Sequence, residues 1–95
     1  MKPPTLLPCS WHSPGGVTLH SDDGIVSFRL APGRHGLFVE RIRIRQEGAY
    51  VAQSAVFADE RSFQQWCDAD SIRFDYPMVY VHLKREGATL FHRGH

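Results

Sequence analysis

The sequence is short of the features that force an assignment. It holds two cysteines, Cys9 and Cys67, and their spacing matches neither a paired metal-ligand unit nor a disulfide framework. That argues against a small secreted domain stapled by several bridges. Lysine is scarce: of eleven basic residues only Lys2 and Lys84 are lysines, and the rest are arginines. The net charge of +1 supplies no molecule-wide field to draw in nucleic acid or an anionic membrane. Any electrostatic function must come from local clustering. Long hydrophobic runs are missing as well. Residues 1–8 carry Lys2 and the prolines Pro3, Pro4 and Pro8, and no apolar stretch that would make a secretory leader or a membrane span. A reducing, cytoplasmic location is the expectation. Pro14-Gly15-Gly16 and Pro32-Gly33-Arg34-His35-Gly36 contain glycines but neither the spacing nor the lysine of a phosphate-cradling loop.

What is present suits one domain. A chain of 95 residues, 42% of them hydrophobic, can form a packed core and bury about 60–65% of its unfolded surface. Residues 1–16 read as a Pro/Gly-rich tail, with Trp11 expected to plug the domain's own core because its large apolar area is costly to leave wet. Residues 17–91 read as a single α+β domain and residues 92–95 as a frayed end.

Within that domain, residues 17–58 predict a four-stranded antiparallel sheet. Residues 17–20 are a short strand, and Asp22-Asp23-Gly24 suits a tight hairpin turn. Val26, Phe28 and Leu30 alternate with Ser27 and Arg29. The longest pattern runs over residues 37–58 as one hairpin, with Ile42 and Ile44 on one face and Arg41, Arg43 and Arg45 on the other. A two-residue Glu47-Gly48 turn would set Arg45 opposite Tyr50, Ile44 opposite Val51, Ile42 opposite Gln53, Glu40 opposite Ala55 and Phe38 opposite Phe57. The isoleucine face is expected to be the buried one, with Glu40 and Gln53 as its misfits.

Residues 59–95 predict one or two helices, at about 59–68 and 76–86, packed on one face of the sheet. Asp59 is a good N-cap, and Phe63, Trp66 and Cys67 form an apolar stripe. Pro77 suits a first helical turn and Gly87 a helix end, with a short strand at 88–91 to follow. The β-branched and aromatic content of Met78 to Leu83 is the rival signal for a strand in place of the second helix. The expected core is Val26, Phe28, Leu30, Phe38, Ile42, Ile44, Val51, Phe57, Phe63, Trp66, Phe74, Tyr80 and Leu83.

Candidate chemistry is confined to a few clusters. Arg41, Arg43 and Arg45, with Arg29 on a neighbouring strand and Tyr50 as a stacking surface, are the candidate binding residues. Basic residues interleaved with an aromatic on an open sheet are the physical recipe for single-stranded nucleic acid. A solvated face, or one paired with the acidic segment of Asp59, Glu60, Asp68, Asp70 and Asp75, is the favoured explanation, with another acidic partner ahead of nucleic acid. Cys67 sits late in its helix beside two aspartates, where a thiolate is disfavoured, so it reads as a small core hydrophobe. Cys9 with His12, and His92 with His95, are zinc half-sites of non-standard spacing. No catalytic set stands out, and no cofactor or metal is expected. The reading is therefore a small non-enzymatic binding or accessory domain that engages a protein partner or itself, without a membrane role. The alternative is a weak single-stranded nucleic-acid binder using the arginine face.

Overall fold

The computed structural model describes residues 16–93. Four strands come first: β1 (Val17–His20), β2 (Val26–Gly33), β3 (Gly36–Arg45) and β4 (Gly48–Phe57). Three helices follow: α1 (Glu60–Ala69), α2 (Ile72–Asp75) and α3 (Pro77–Arg93). The strands form one open antiparallel sheet in the order β1-β2-β3-β4, and the helices pack on one of its faces. This is the α+β architecture that the pattern of residues implies. The expected tail, Trp11 and the zinc half-site of Cys9 and His12 lie outside the described residues, as does His95.

Turn chemistry sets the phase of the sheet. Between β1 and β2, Asp23 Oδ1 accepts hydrogen bonds from Ser21 Oγ at 2.6 Å and Ile25 N at 2.9 Å, and Gly24 takes φ 74°. Between β2 and β3, Gly33 pairs with Gly36 around Arg34-His35. Gly36 has φ 131°, and a Cβ there would collide with the main chain of Phe57. This short turn places Phe28 opposite Arg41, Leu30 opposite Val39 and Pro32 opposite Leu37.

That pairing corrects the expected core. Phe28 and Leu30 are fully buried beneath the helices, so their partners Val39 and Arg41 face the helices too. The arginine side of β3 is thus the helix side, and Phe38, Ile42 and Ile44 face away from it, although Ile42 is buried all the same, at 5% exposure, as expected. Period-two alternation separates the two faces of a strand without saying which one is covered. The phase of the β2–β3 turn decides it, because it alone fixes which residues of β3 stand beside Val26, Phe28 and Leu30.

The β3–β4 register differs from the expected one as well. Arg45 pairs with Gly48, so the turn is Gln46-Glu47. The ladder runs Ile44 to Ala49, Arg43 to Tyr50 and Ile42 to Val51, then shifts so that Arg41 meets Gln53. Ala52 is the extra residue of a β-bulge. The bulge reverses the parity of β4: Val51 and Val56 share the helix-free side despite their odd spacing, while Phe57 turns inward opposite Leu37.

The helices complete the core. Asp59 caps α1, its Oδ1 accepting from Ser62 N at 2.8 Å. Phe63 and Cys67 point inward, and Trp66 packs against them. Pro77 opens α3 as expected, but α3 does not end at Gly87 and no strand forms at 88–91. Gly87 lies inside the helix because the Phe63 ring occupies the space a side chain would need. The buried stripe of α3 therefore continues from Val79 and Leu83 past Gly87 to Leu90. Phe74, expected in the core, is 76% exposed.

Candidate functional site

The three arginines of β3 point to the helix side of the sheet and meet different fates along it. Arg41 lies under the helices. Its guanidinium carbon is 5.2 Å from the centre of the Phe28 ring and 5.6 Å from Trp66, and its Nη2 is 2.6 Å from Asp70 Oδ1. Both side chains of this pair are 16% exposed. The short Nη2 contact is an ion pair without an aligned hydrogen bond, and Nε has no acceptor. Asp70 also accepts from Ile72 N at 3.0 Å through its other oxygen, tying β3 to the start of α2. Arg41 is thus part of the packing between sheet and helices, and it is not offered to a ligand.

Arg43 and Arg45 run beyond the covered part of the sheet and are exposed. The guanidinium of Arg45 stacks 5.4 Å from the Tyr50 ring. Arg29, expected beside them, pairs across the ladder with Glu40 on the opposite side of the sheet. The five candidate residues are therefore split: Arg43, Arg45 and Tyr50 stay together at the hairpin end, Arg41 is held by Asp70, and Arg29 faces away.

In the acidic helical segment Asp70 and Asp68 meet cations and Glu60 meets a histidine. Asp68 accepts from Lys84 Nζ at 2.8 Å and from Tyr80 Oη at 2.6 Å, which hold its carboxyl below the usual carboxylate range and push Lys84 up. Glu60 Oε1 lies 3.2 Å from His92 Nε2, so His92 faces α1. Asp23 accepts from Tyr76 Oη at 2.8 Å, in addition to its turn bonds, and is held low by them. Burial pushes the Cys67 thiol up to about 12, so at neutral pH it is a protonated core group and a poor nucleophile. Among the described residues no group of three or more His, Cys, Asp or Glu side chains is arranged to hold a metal ion.

Two apolar exposures escaped the sequence reading. On the helix-free side of the sheet Ile25, Ile44, Val51 and Val56 remain exposed. On the helical side Phe74, Met78 and Val81 are exposed at the α2–α3 junction. Ile44, Val51 and Phe74 were hidden because their pattern assigns them to the core, and spacing alone does not mark Ile25, Val56, Met78 or Val81 as exposed. Two grooves open on the surface. One, of about 400 Å3, lies between the Arg34-His35 turn and Leu90 and Phe91; the other, of about 510 Å3, lies between β1 and the start of α3.

Among the described residues no helix is long and apolar enough to cross a membrane. No protein-family model matches the chain, and comparison with curated proteins and with solved structures finds no match.

Proposed function

We propose that the protein is a small non-enzymatic binding domain, located in the cytoplasm, that engages a protein partner or a second copy of itself. The observation that carries this reading is the hairpin end of the helix-free side of the sheet, where Ile25 (42%), Ile44 (37%) and Val51 (41%) are exposed near one another, with Val56 (58%) exposed farther along β4 opposite Phe38. Apolar side chains gathered on one open surface mark interaction sites far more often than scattered ones do. Such a surface gains by being covered, at about 25 cal/mol per Å2 of apolar area removed from water. The cytoplasmic location is supported by the scarcity of cysteine and by Cys67, which is a free, buried thiol.

Nucleic acid is the weaker reading. Its support is the exposed group of Arg43, Arg45 and Tyr50, which is a small remnant of the five-residue face that the sequence suggests. Phosphate contacts release counterions, so this reading requires an affinity for single-stranded DNA that falls steeply with salt.

Two measurements on the full chain test the binding reading, with the Ile44→Lys/Val51→Lys double variant as the control. Sedimentation over a range of concentrations reads self-association, and affinity capture from extract reads a partner. A dimer, or a defined captured protein, that the double variant loses is the expected result. A strict monomer that retains nothing the folded double variant fails to retain would sink it.

A further inference from the structure

Among the described residues β1 is an outer strand, paired to β2 on one side only, so about half of its main-chain N–H and C=O groups point away from the sheet. The groove of about 510 Å3 lies on that unpaired side. Leu19 of β1 lines it together with Met78, Val79 and His82 of α3, and no residue of β2 contributes. Asp22, in the β1–β2 turn, and Asp75, at the end of α2, line it too. The Tyr76–Asp23 hydrogen bond of 2.8 Å joins that turn to the α2–α3 junction, so the two walls are held together before anything binds.

The lining combines an apolar surface with unspent negative charge. Met78 is 61% exposed. Neither Asp22 nor Asp75 takes part in an ion pair among the described residues, although Asp75 also borders the recess that holds Arg43. Both histidines of the lining are engaged, His82 Nδ1 lying 2.8 Å from Arg85 Nη2 and His20 Nδ1 2.7 Å from Ser27 Oγ. A strand edge facing a helix across a groove of mixed polar and apolar lining is an arrangement in which a peptide can add to a sheet, main-chain bonds supplying affinity and alternate side chains supplying selectivity.

We propose that this groove binds an extended peptide segment, which adds to β1 as a further strand, sets an apolar side chain against Met78 and Val79, and brings a lysine or arginine to Asp22 and Asp75. The surface is separate from the helix-free side of the sheet, so it goes beyond the binding reading above and stands or falls independently of it.

The test follows main-chain amide shifts of the full-length protein during titration with a capped hexapeptide of alternating valine and lysine. The same peptide with glutamate in place of lysine serves as the control. Saturable shifts confined to β1, Asp22 and the stretch from Asp75 to His82 are expected. The Asp22→Asn/Asp75→Asn double variant should bind the lysine peptide about threefold to tenfold more weakly, the loss of two exposed charge contacts. Met78→Lys should weaken it further, while both variants keep the native unfolding midpoint. Equal binding of the glutamate peptide overturns the proposal, as does the absence of saturable shifts. Shifts that cluster on Ile44 and Val51, or on Arg43 and Arg45, overturn it by assigning the peptide to another surface. Concentration-dependent shifts at β1 without peptide overturn it in favour of a second copy at that edge. Apart from that last result, which sedimentation would register as a dimer that Ile44→Lys/Val51→Lys keeps, these outcomes leave the capture and sedimentation tests untouched.

Discussion

At the scale of single residues, Arg41 shows how one side chain can be read correctly by type and wrongly by role. Its charge belongs to an alternating strand, but its position opposite Phe28 places it under Trp66 and beside Asp70. A guanidinium there is tolerated because its flat faces stack on rings and its charge is met by a carboxylate. Taking away the carboxylate leaves a largely buried cation without its partner. Asp70→Asn is therefore expected to cost about 1–3 kcal/mol in urea unfolding followed by Trp66 fluorescence. Arg41→Met, which keeps a flexible apolar chain between the rings, is expected to cost less than Asp70→Asn. Equal stability of Asp70→Asn and wild type would show that the pair contributes nothing.

At the scale of elements, α3 is the instructive case. Its sequence contains β-branched residues early and a glycine late, both poor helix formers. Tertiary packing overrides them. Val79, Leu83 and Leu90 fall on one buried stripe, and Gly87 leaves room for Phe63. Propensity alone says that Gly87→Ala should stabilise the helix by about 1 kcal/mol. The packing says the opposite, because the added methyl would enter the Phe63 ring. A net loss of about 1–3 kcal/mol is expected, and the Phe63→Leu background should reduce it. A thermal or urea midpoint raised by Gly87→Ala would refute this account of why α3 continues. The bulge at Ala52 is a second element-scale device: one extra residue lets β4 place Val51 and Val56 outward and Phe57 inward.

At the scale of the whole molecule, exposed ionisable contacts fasten the helices to one another and to the β1–β2 turn. Hydrogen bonds from Ser21, Ile25 and Tyr76 lower Asp23, the Ser62 main-chain N–H and hydroxyl lower Asp59, and Lys84 and Tyr80 lower Asp68, each from a usual 3.8. A group that is more acidic when folded than when unfolded stabilises the fold above its unfolded pKa, and that contribution is lost as pH falls through the folded value. Unfolding midpoints should hold steady near neutrality and decline below about pH 4. Lys84, raised above 10.5 by Asp68, and Tyr76, raised above 10.0 by its hydrogen bond to Asp23, act in the other direction. Their contributions are complete below those values and disappear as pH rises through the folded ones. Asp68→Asn should flatten both the acid and the alkaline arms of a stability profile, and added salt should mimic part of that effect. Arms unchanged in Asp68→Asn would remove this cluster from the account.

What the sequence determined by itself is the set of local structures whose physics is local. Alternation marked β2, β3 and β4, Asp59 marked the start of α1, and Pro77 marked the start of α3, because pleat, cap and ring geometry act over a few residues. It also marked the acidic segment as a rival claimant to the arginines, and Asp70 does take Arg41. Tertiary structure alone decided which face of the sheet the helices cover, since that turns on the phase of a two-residue turn and one bulge. That choice gave Arg41 to the core, sent Arg29 to the opposite side and left Ile44 and Val51 in the open. The groove beside β1 was invisible for the same reason: Leu19 and Asp22 lie more than fifty residues before Asp75 and Met78 along the chain, and only the packing of α3 against the sheet edge makes them one surface.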